Sequence, residues 1–149
     1  MADDDMAASL PALVLAVSAG LVEQIHAGVT ARGFGDVRPA HGFAFVRLTP
    51  HGATVSELAV HLGVTRQAAS QLVEELERKG YVRRRPHPDD ARARLVVLTD
   101  RGVACTRAAD AAAADAIQPW VATLGAARVR QLRDDLARLA PPGRLRPTW

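Results

Sequence analysis

The chain has little of several things, and each shortage excludes something. It holds one cysteine, Cys105, so neither a disulfide framework within the chain nor a cysteine-based zinc cluster can form. It has no asparagine, and Lys79 is its only lysine. Aromatics are scarce, with three phenylalanines, two tryptophans and one tyrosine in 149 residues. The core must then be built from Leu, Val and Ala, which suits helices packed closely on one another. No unbroken run of eighteen apolar residues occurs, which predicts no membrane span. The opening residues MADDDMAAS are acidic, the reverse of a signal peptide's basic start, so a cytoplasmic protein is expected. His26, His41, His51, His61 and His87 show no helical pair at metal-ligand spacing. There is no nucleophile motif and no Gly-rich phosphate loop. The nearest thing to a catalytic dyad, His87 with Asp89 and Asp90, falls on a turn without a pocket signal. An enzyme, a metal and a cofactor are therefore not expected, and no repeat points to a solenoid.

What the chain does have is arginine. The formal net charge is only +3, yet the pI is about 10. Arginine suits bidentate contacts to phosphates and base edges. An Arg- and Ala-rich, Asn-free composition equally fits a GC-rich genome, so the position of the charge is more informative than its sum.

Leu10, Leu13, Val14, Val17, Leu21 and Ile25 recur at three- and four-residue steps, which predicts an amphipathic helix of about 20 residues closed by Gly33 and Gly35. A short helix is expected over 39–48, ended by Pro50, His51 and Gly52. Thr54-Val55-Ser56-Glu57 is a capping box. The helix it opens turns Leu58, Ala59 and Leu62 inward and stops at Gly63. Thr65 is the next N-cap, for a helix to Lys79 with Ala69, Leu72, Val73 and Leu76 inside and Gly80 at C′. Residues 81–85 and 94–98 read as strands around a Pro-His-Pro-Asp-Asp turn. Thr99 or Asp100 starts an alanine-rich helix to about Ala116, and Pro119 with Trp120 predicts a kink or break. Val129, Leu132, Leu136 and Leu139 stripe a last helix ended by Pro141-Pro142-Gly143, before a loose basic tail.

The fold class is thus mainly α with a small two-stranded β wing: a winged helix-turn-helix flanked by N- and C-terminal dimerisation helices. One domain is expected over 1–149. Its DNA-binding lobe spans about 36–102, and its helical dimerisation lobe spans about 8–33 and 103–141.

A helix that enters the major groove presents short polar and basic groups from its first turns. Thr65, Arg66, Gln67, Ser70 and Gln71 fit this, although an ordinary solvated helix face carries the same residue types. Arginine can pair with guanine, and glutamine with adenine. The back half of the same helix carries Glu74, Glu75 and Glu77, which phosphate would repel, so only its front half should touch DNA. In the hairpin, from Arg83 to Arg94, five arginines stand against two aspartates. Such a hairpin can lie over the flanking minor groove, with Arg92 and Arg94 as its contacts. Asp90 is expected to orient Arg92 by a charge-assisted hydrogen bond, with a plain turn-forming Asp as the alternative.

The stretch GYVRRRPHPDDARARLVVLTDRG resembles the wing of the MarR family of bacterial transcription regulators. The pattern falls on Gly80, Tyr81, Val82, Arg84, Asp90, Arg92, Leu95, Val96, Leu98, Thr99 and Gly102. The resemblance is specific across about residues 54–102. It implies a winged-helix homodimer on double-stranded DNA, with recognition helices in the major groove and Arg92 in the minor groove. Arg84 and Asp90 would support the wing. Ala91 stands where many members carry a further arginine, and Gln71 where many carry a basic residue.

The two apolar end stripes exceed what the small central module can cover. Leu10, Leu13, Val17 and Leu21 are therefore expected to form the dimer interface with Val129, Leu132, Leu136 and Leu139. The resemblance adds a small aromatic effector as partner, in a pocket lined by His41, Phe43, Phe45 and Arg47. Core packing accounts for the two phenylalanines equally well. Cys105, early in the helix after the wing, is either an oxidisable thiol or an inert buried one. The expected function is a ligand-responsive repressor that binds a pseudo-palindromic operator. The alternative is a winged-helix protein-interaction module without DNA binding.

Overall fold

A computed structural model describes residues 2–140, with side chains from Ser9 onward. Six helices and one hairpin follow in the order α1 (Ala2–Ala31), α2 (Pro39–Leu48), α3 (Val55–Leu62), α4 (Arg66–Arg78), β1 (Val82–Pro86), β2 (Arg94–Leu98), α5 (Asp100–Leu124) and α6 (Ala126–Leu139). The Pro141-Pro142-Gly143 stop and the basic tail lie outside the described residues.

The local signals act where the residues place them. Thr54 accepts from the Glu57 amide, and the Glu57 carboxylate accepts from the Thr54 amide at 2.8 Å, which closes the capping box on α3. Gly63 ends that helix at φ 66, in the left-handed region. Thr65 caps α4 through the Ala68 amide. At the other end of α4 the Tyr81 amide donates to Leu76 and the Gly80 amide to Glu77. That pair of bonds is a Schellman motif, and it requires Gly80 at φ 79.

The hairpin pairs Val82 with Leu98 and Pro86 with Arg94 in antiparallel register. Ala53 adds two further backbone bonds to Val96, at 3.0 and 2.8 Å, so the loop before α3 extends the sheet. The core lies under this junction. Leu48, Leu58, Val73, Leu76, Tyr81, Val96 and Cys105 are fully buried in it. The scarcity of large residues shows in the seam between α1 and α5. Ala108, Ala112 and Ala116 line it from α5, and a Cβ on Gly28 would stand 2.6 Å from that of Ala112.

Three expectations need correction. The first helix runs 30 residues rather than about 20, because alanines carry helical propensity past both ends of the apolar stripe. No break occurs at Pro119: α5 continues to Leu124 and turns only at Gly125, at φ 85. The proline frees the carbonyl of Asp115, but that residue is exposed and water can satisfy it. Finally, the stretch Ser9–Ala31 is long and apolar enough to cross a membrane by length and composition, at mean hydropathy 1.6. Glu23 and His26 break its apolar run without lowering the average far. Leu10, Leu13 and Leu15 along it are 56%, 59% and 66% exposed. All of α6 is free of buried residues.

Gly102 joins the wing to α5. A Cβ there would stand 2.2 Å from the Tyr81 carbonyl oxygen and 3.1 Å from Leu98. Gly102→Ala should destabilise the protein by about 1–3 kcal/mol, read as a lower midpoint in urea unfolding.

Candidate nucleic-acid interface

The front of α4 is presented as the sequence requires. Thr65, Arg66, Gln67 and Gln71 are exposed, and Ser70 is half-buried. Ala69 and Val73, on the opposite side, are completely buried. The helix is thus anchored by its small apolar face and offers its polar one. Ser70 Oγ also points toward the Glu74 carboxylate at 3.5 Å.

The acidic half of α4 is engaged within the protein. Glu75 lies between the guanidinium of Arg38 at 2.5 Å and the ammonium of Lys79 at 2.8 Å. These bonds hold its carboxyl down at about 2, with the Lys79 hydrogen bond as the largest cause. Glu77 pairs with Arg84 of β1 at 3.2 Å. Arg84 therefore ties the wing to the end of the recognition helix. Lys79 Nζ reaches further and donates to the Asp36 carbonyl. Asp36 carries a second set of contacts: it accepts from the Tyr81 hydroxyl at 2.5 Å and from Arg101 at 3.3 Å. Its carboxyl is held below the usual range, first by the Tyr81 hydrogen bond. The same hydroxyl is pushed up to about 12, first by burial and then by Asp36. Arg101 stacks over the Tyr81 ring with its guanidinium carbon 4.6 Å from the centroid. Sequence reasoning missed Asp36, Arg38 and Arg101 altogether, since their partners lie 37 to 65 residues away.

On the wing, Arg92 and Arg94 are exposed, as are Arg83 and Arg85. Asp90 does not orient the Arg92 guanidinium. Its carboxylate accepts from the Arg92 backbone amide at 2.9 Å, and among the described residues no ion pair joins the two. This is an Asx turn: the short side chain reaches the amide two residues on more readily than it reaches a long, mobile guanidinium. Asp90 shapes the tip, and the Arg92 side chain is left facing outward.

Behind α2 lies a cavity of about 460 Å³ between α1, α2 and α5. Phe43 and Phe45 line it, as expected, together with Leu21, Ile25, Arg38 and Cys105. His41 and Arg47 do not. His41 is completely buried, and its Nδ1 accepts from the Arg38 amide at 3.0 Å, serving the start of α2. The proton of the neutral ring then sits on Nε2, which faces Glu75 at 3.4 Å. Burial is the main reason the His41 imidazole titrates below its ordinary value. Arg47 pairs with Glu57 at 3.3 Å on another face. Burial pushes the Cys105 thiol up to about 11, which makes it a poor nucleophile and favours the inert reading. Of the end stripes, Val129 and Leu132 are half-buried, while Leu136 and Leu139 are 46% and 79% exposed.

Residues 43–93, covering α3, α4 and most of the wing, match the model of the MarR family. That central segment is similar to the MarR family, and the whole fold resembles solved MarR structures. Its fold is similar to that of E. coli MarR in the apo form, at 26% identity, covering 89% of this chain and 96% of that one with a TM-score of 0.71. A mutant E. coli MarR complexed with operator DNA is similar at 25% identity, 89% and 94% coverage and a TM-score of 0.70. CouR from Rhodococcus jostii RHA1, bound to p-coumaroyl-CoA, shares the fold at 23% identity, 92% and 95% coverage and a TM-score of 0.71. No sequence match is found among curated proteins. The MarR resemblance carried by the wing thus extends over both end helices.

Acid should loosen this MarR-type core through Glu75. Its carboxyl is lowered in the fold from 4.5 to about 2, so its contribution is complete above pH 4.5 and is lost as pH falls toward 2. His41, lowered from 6.5, acts in the same direction, because the unfolded chain takes up that proton first. Urea midpoints measured from pH 7 to pH 2.5 should therefore fall, and Glu75→Gln should flatten the fall below pH 4.5.

Proposed function

We propose that this chain is a sequence-specific DNA-binding transcriptional regulator, a ligand-responsive repressor that binds a pseudo-palindromic operator as a homodimer. One observation carries the reading. The polar front of α4 is exposed, while two of the three carboxylates behind it are neutralised by Arg38, Lys79 and Arg84. The acidic half was the best support for a protein-interaction module without DNA. With its charge spent inside the fold, that support weakens.

In this reading Thr65, Arg66, Gln67, Ser70 and Gln71 meet base edges and phosphates in the major groove. Arg92 and Arg94 reach the flanking minor groove from the wing. The complex of E. coli MarR with operator DNA supports the same use of this fold. Arg84 and Asp90 act indirectly, one by tying the wing to α4 and the other by shaping its tip.

A single winged module has a small footprint, so a second copy supplies specificity. The exposed leucines and valines of α1 and α6 are the surface for it. Burying them in a dimer also explains why so apolar a helix needs no membrane, in keeping with a cytoplasmic regulator. Residues 36–102 then act as the DNA-binding lobe, and 8–33 with 103–141 as the dimerisation lobe. The cavity between them is the place for a small aromatic effector, and the CouR complex with p-coumaroyl-CoA supports that use.

The protein's own upstream DNA, in a gel shift at two salt concentrations, tests the reading. A shifted band that weakens with salt is expected. Arg92→Ala should lower the slope of log affinity against log salt by about 1. An unchanged slope and affinity would remove the wing from the interface. Sedimentation at micromolar concentration should show a dimer, and Leu13→Glu with Leu136→Glu should shift it to monomer. A monomeric wild-type protein would sink the dimer reading.

A further inference from the structure

Three glutamates follow the front of α4, and the fold uses two of them. Glu75 is held by Arg38 and Lys79, and Glu77 by Arg84. Glu74 is different. It is exposed, and among the described residues it takes part in no ion pair. Its carboxylate has one side-chain contact there, the Ser70 hydroxyl, which donates toward it at 3.5 Å. Arg78, one turn on, donates instead to the Glu74 main-chain carbonyl.

The place of Glu74 on the helix matters as much as its lack of a cation. Ala69, Val73 and Leu76 bury one side of α4. With about 3.6 residues per turn, the opposite side carries Gln67, Gln71, Glu74 and Arg78, spaced by four, three and four residues. All four are exposed. Glu74 thus shares the face of the two glutamines and lies about 4.5 Å further along the axis than Gln71.

We infer that Glu74 is a base-reading residue: its carboxylate, aimed by Ser70, accepts a hydrogen bond from a cytosine amino group in the major groove. This rests on the DNA-binding reading and adds a base that the front half of α4 does not read. An ionised carboxylate is acceptor-only. Guanine and thymine turn acceptors toward the major groove and oppose it. Adenine offers an amino group, but beside the N7 acceptor. Cytosine offers an amino donor alone. The same charge faces the phosphates unfavourably, so Glu74 contributes discrimination between sequences and no general affinity. Ser70 then has a positioning role beside its own contacts, because its hydroxyl restricts the rotamers of the carboxylate one turn on.

Selection from a pool of random-sequence duplexes, with the intact protein, tests this. The enriched duplexes are sequenced and then ranked by gel shift. The wild type should select a motif in which one position of each half-site prefers cytosine by roughly fivefold or more. Glu74→Gln should move that position toward adenine, which suits a glutamine side chain, and leave the others as they were. Glu74→Ala should erase the preference there alone. Neither change should lower affinity for random DNA or the salt slope, unlike the loss of a phosphate contact. Ser70→Ala should weaken the same cytosine preference. Glu74 is exposed and alanine is the better helix former, so both Glu74 variants should keep the fold. If the wild type enriches no motif, the DNA-binding reading fails and this inference goes with it. If a motif is enriched but both Glu74 variants select it unchanged, or weaken every position alike, Glu74 reads no base and this inference alone is overturned. A cytosine preference that survives Ser70→Ala in full would remove the positioning role.

Discussion

One carboxylate gathers the polar contacts that hold the back of the recognition helix. Glu75 is three-quarters covered and meets a guanidinium from α2 and an ammonium from its own helix. A partly buried charge is costly without a partner, and Glu75 has two. The two cations also anchor the helix outward, since Lys79 continues to the Asp36 carbonyl and Asp36 to Tyr81 and Arg101. The result is a chain of polar contacts around the apolar core, joining the α1–α2 loop, α4, the wing and the start of α5. With Arg38 more than half exposed, such pairs add little net stability. Their value lies in orientation: they fix the helix about its own axis, which leucine contacts alone do loosely.

The same arrangement resolves a conflict of charge. A helix with three glutamates within four positions is a poor partner for phosphate by composition. Here Arg38, Lys79 and Arg84 neutralise Glu75 and Glu77, and the exposed front is left to Arg66 and the glutamines. Net charge therefore says little about this surface. The distribution of partners sets the local potential at short range, where screening by salt is weakest.

The central module was legible in the residues because its signals are local. Thr54 with Glu57, Thr65, Gly63 and Gly80 each act within a turn of where they stand, and the strand register follows from a short hairpin. The resemblance to the MarR family rested on the same stretch. What was not legible depends on distance along the chain. Nothing near Arg38 announces Glu75, and nothing near Asp36 announces Tyr81. His41 looked like a pocket residue by type and proved to be spent on the start of its own helix. Asp90 was matched to the wrong atom of Arg92, because sequence spacing gives the neighbour but not which of its groups is in reach. Pro119 misled for a different reason: the carbonyl it frees, on Asp115, is exposed to water, and α5 runs on past it.

The wing is held toward its base, where Arg84 also meets Glu77 of α4. Ala53 extends its sheet from one side, and Thr99 and Gly102 seat it on α5 from the other. Toward the tip, the backbone bonds of His87 and Ala93 remain within the hairpin. The residues between the strands can therefore be lengthened, shortened or exchanged without disturbing the core. For a lineage of such proteins, that makes the tip a region where binding preference drifts cheaply while the rest of the molecule stays constant. For an engineer, it marks the segment to randomise first.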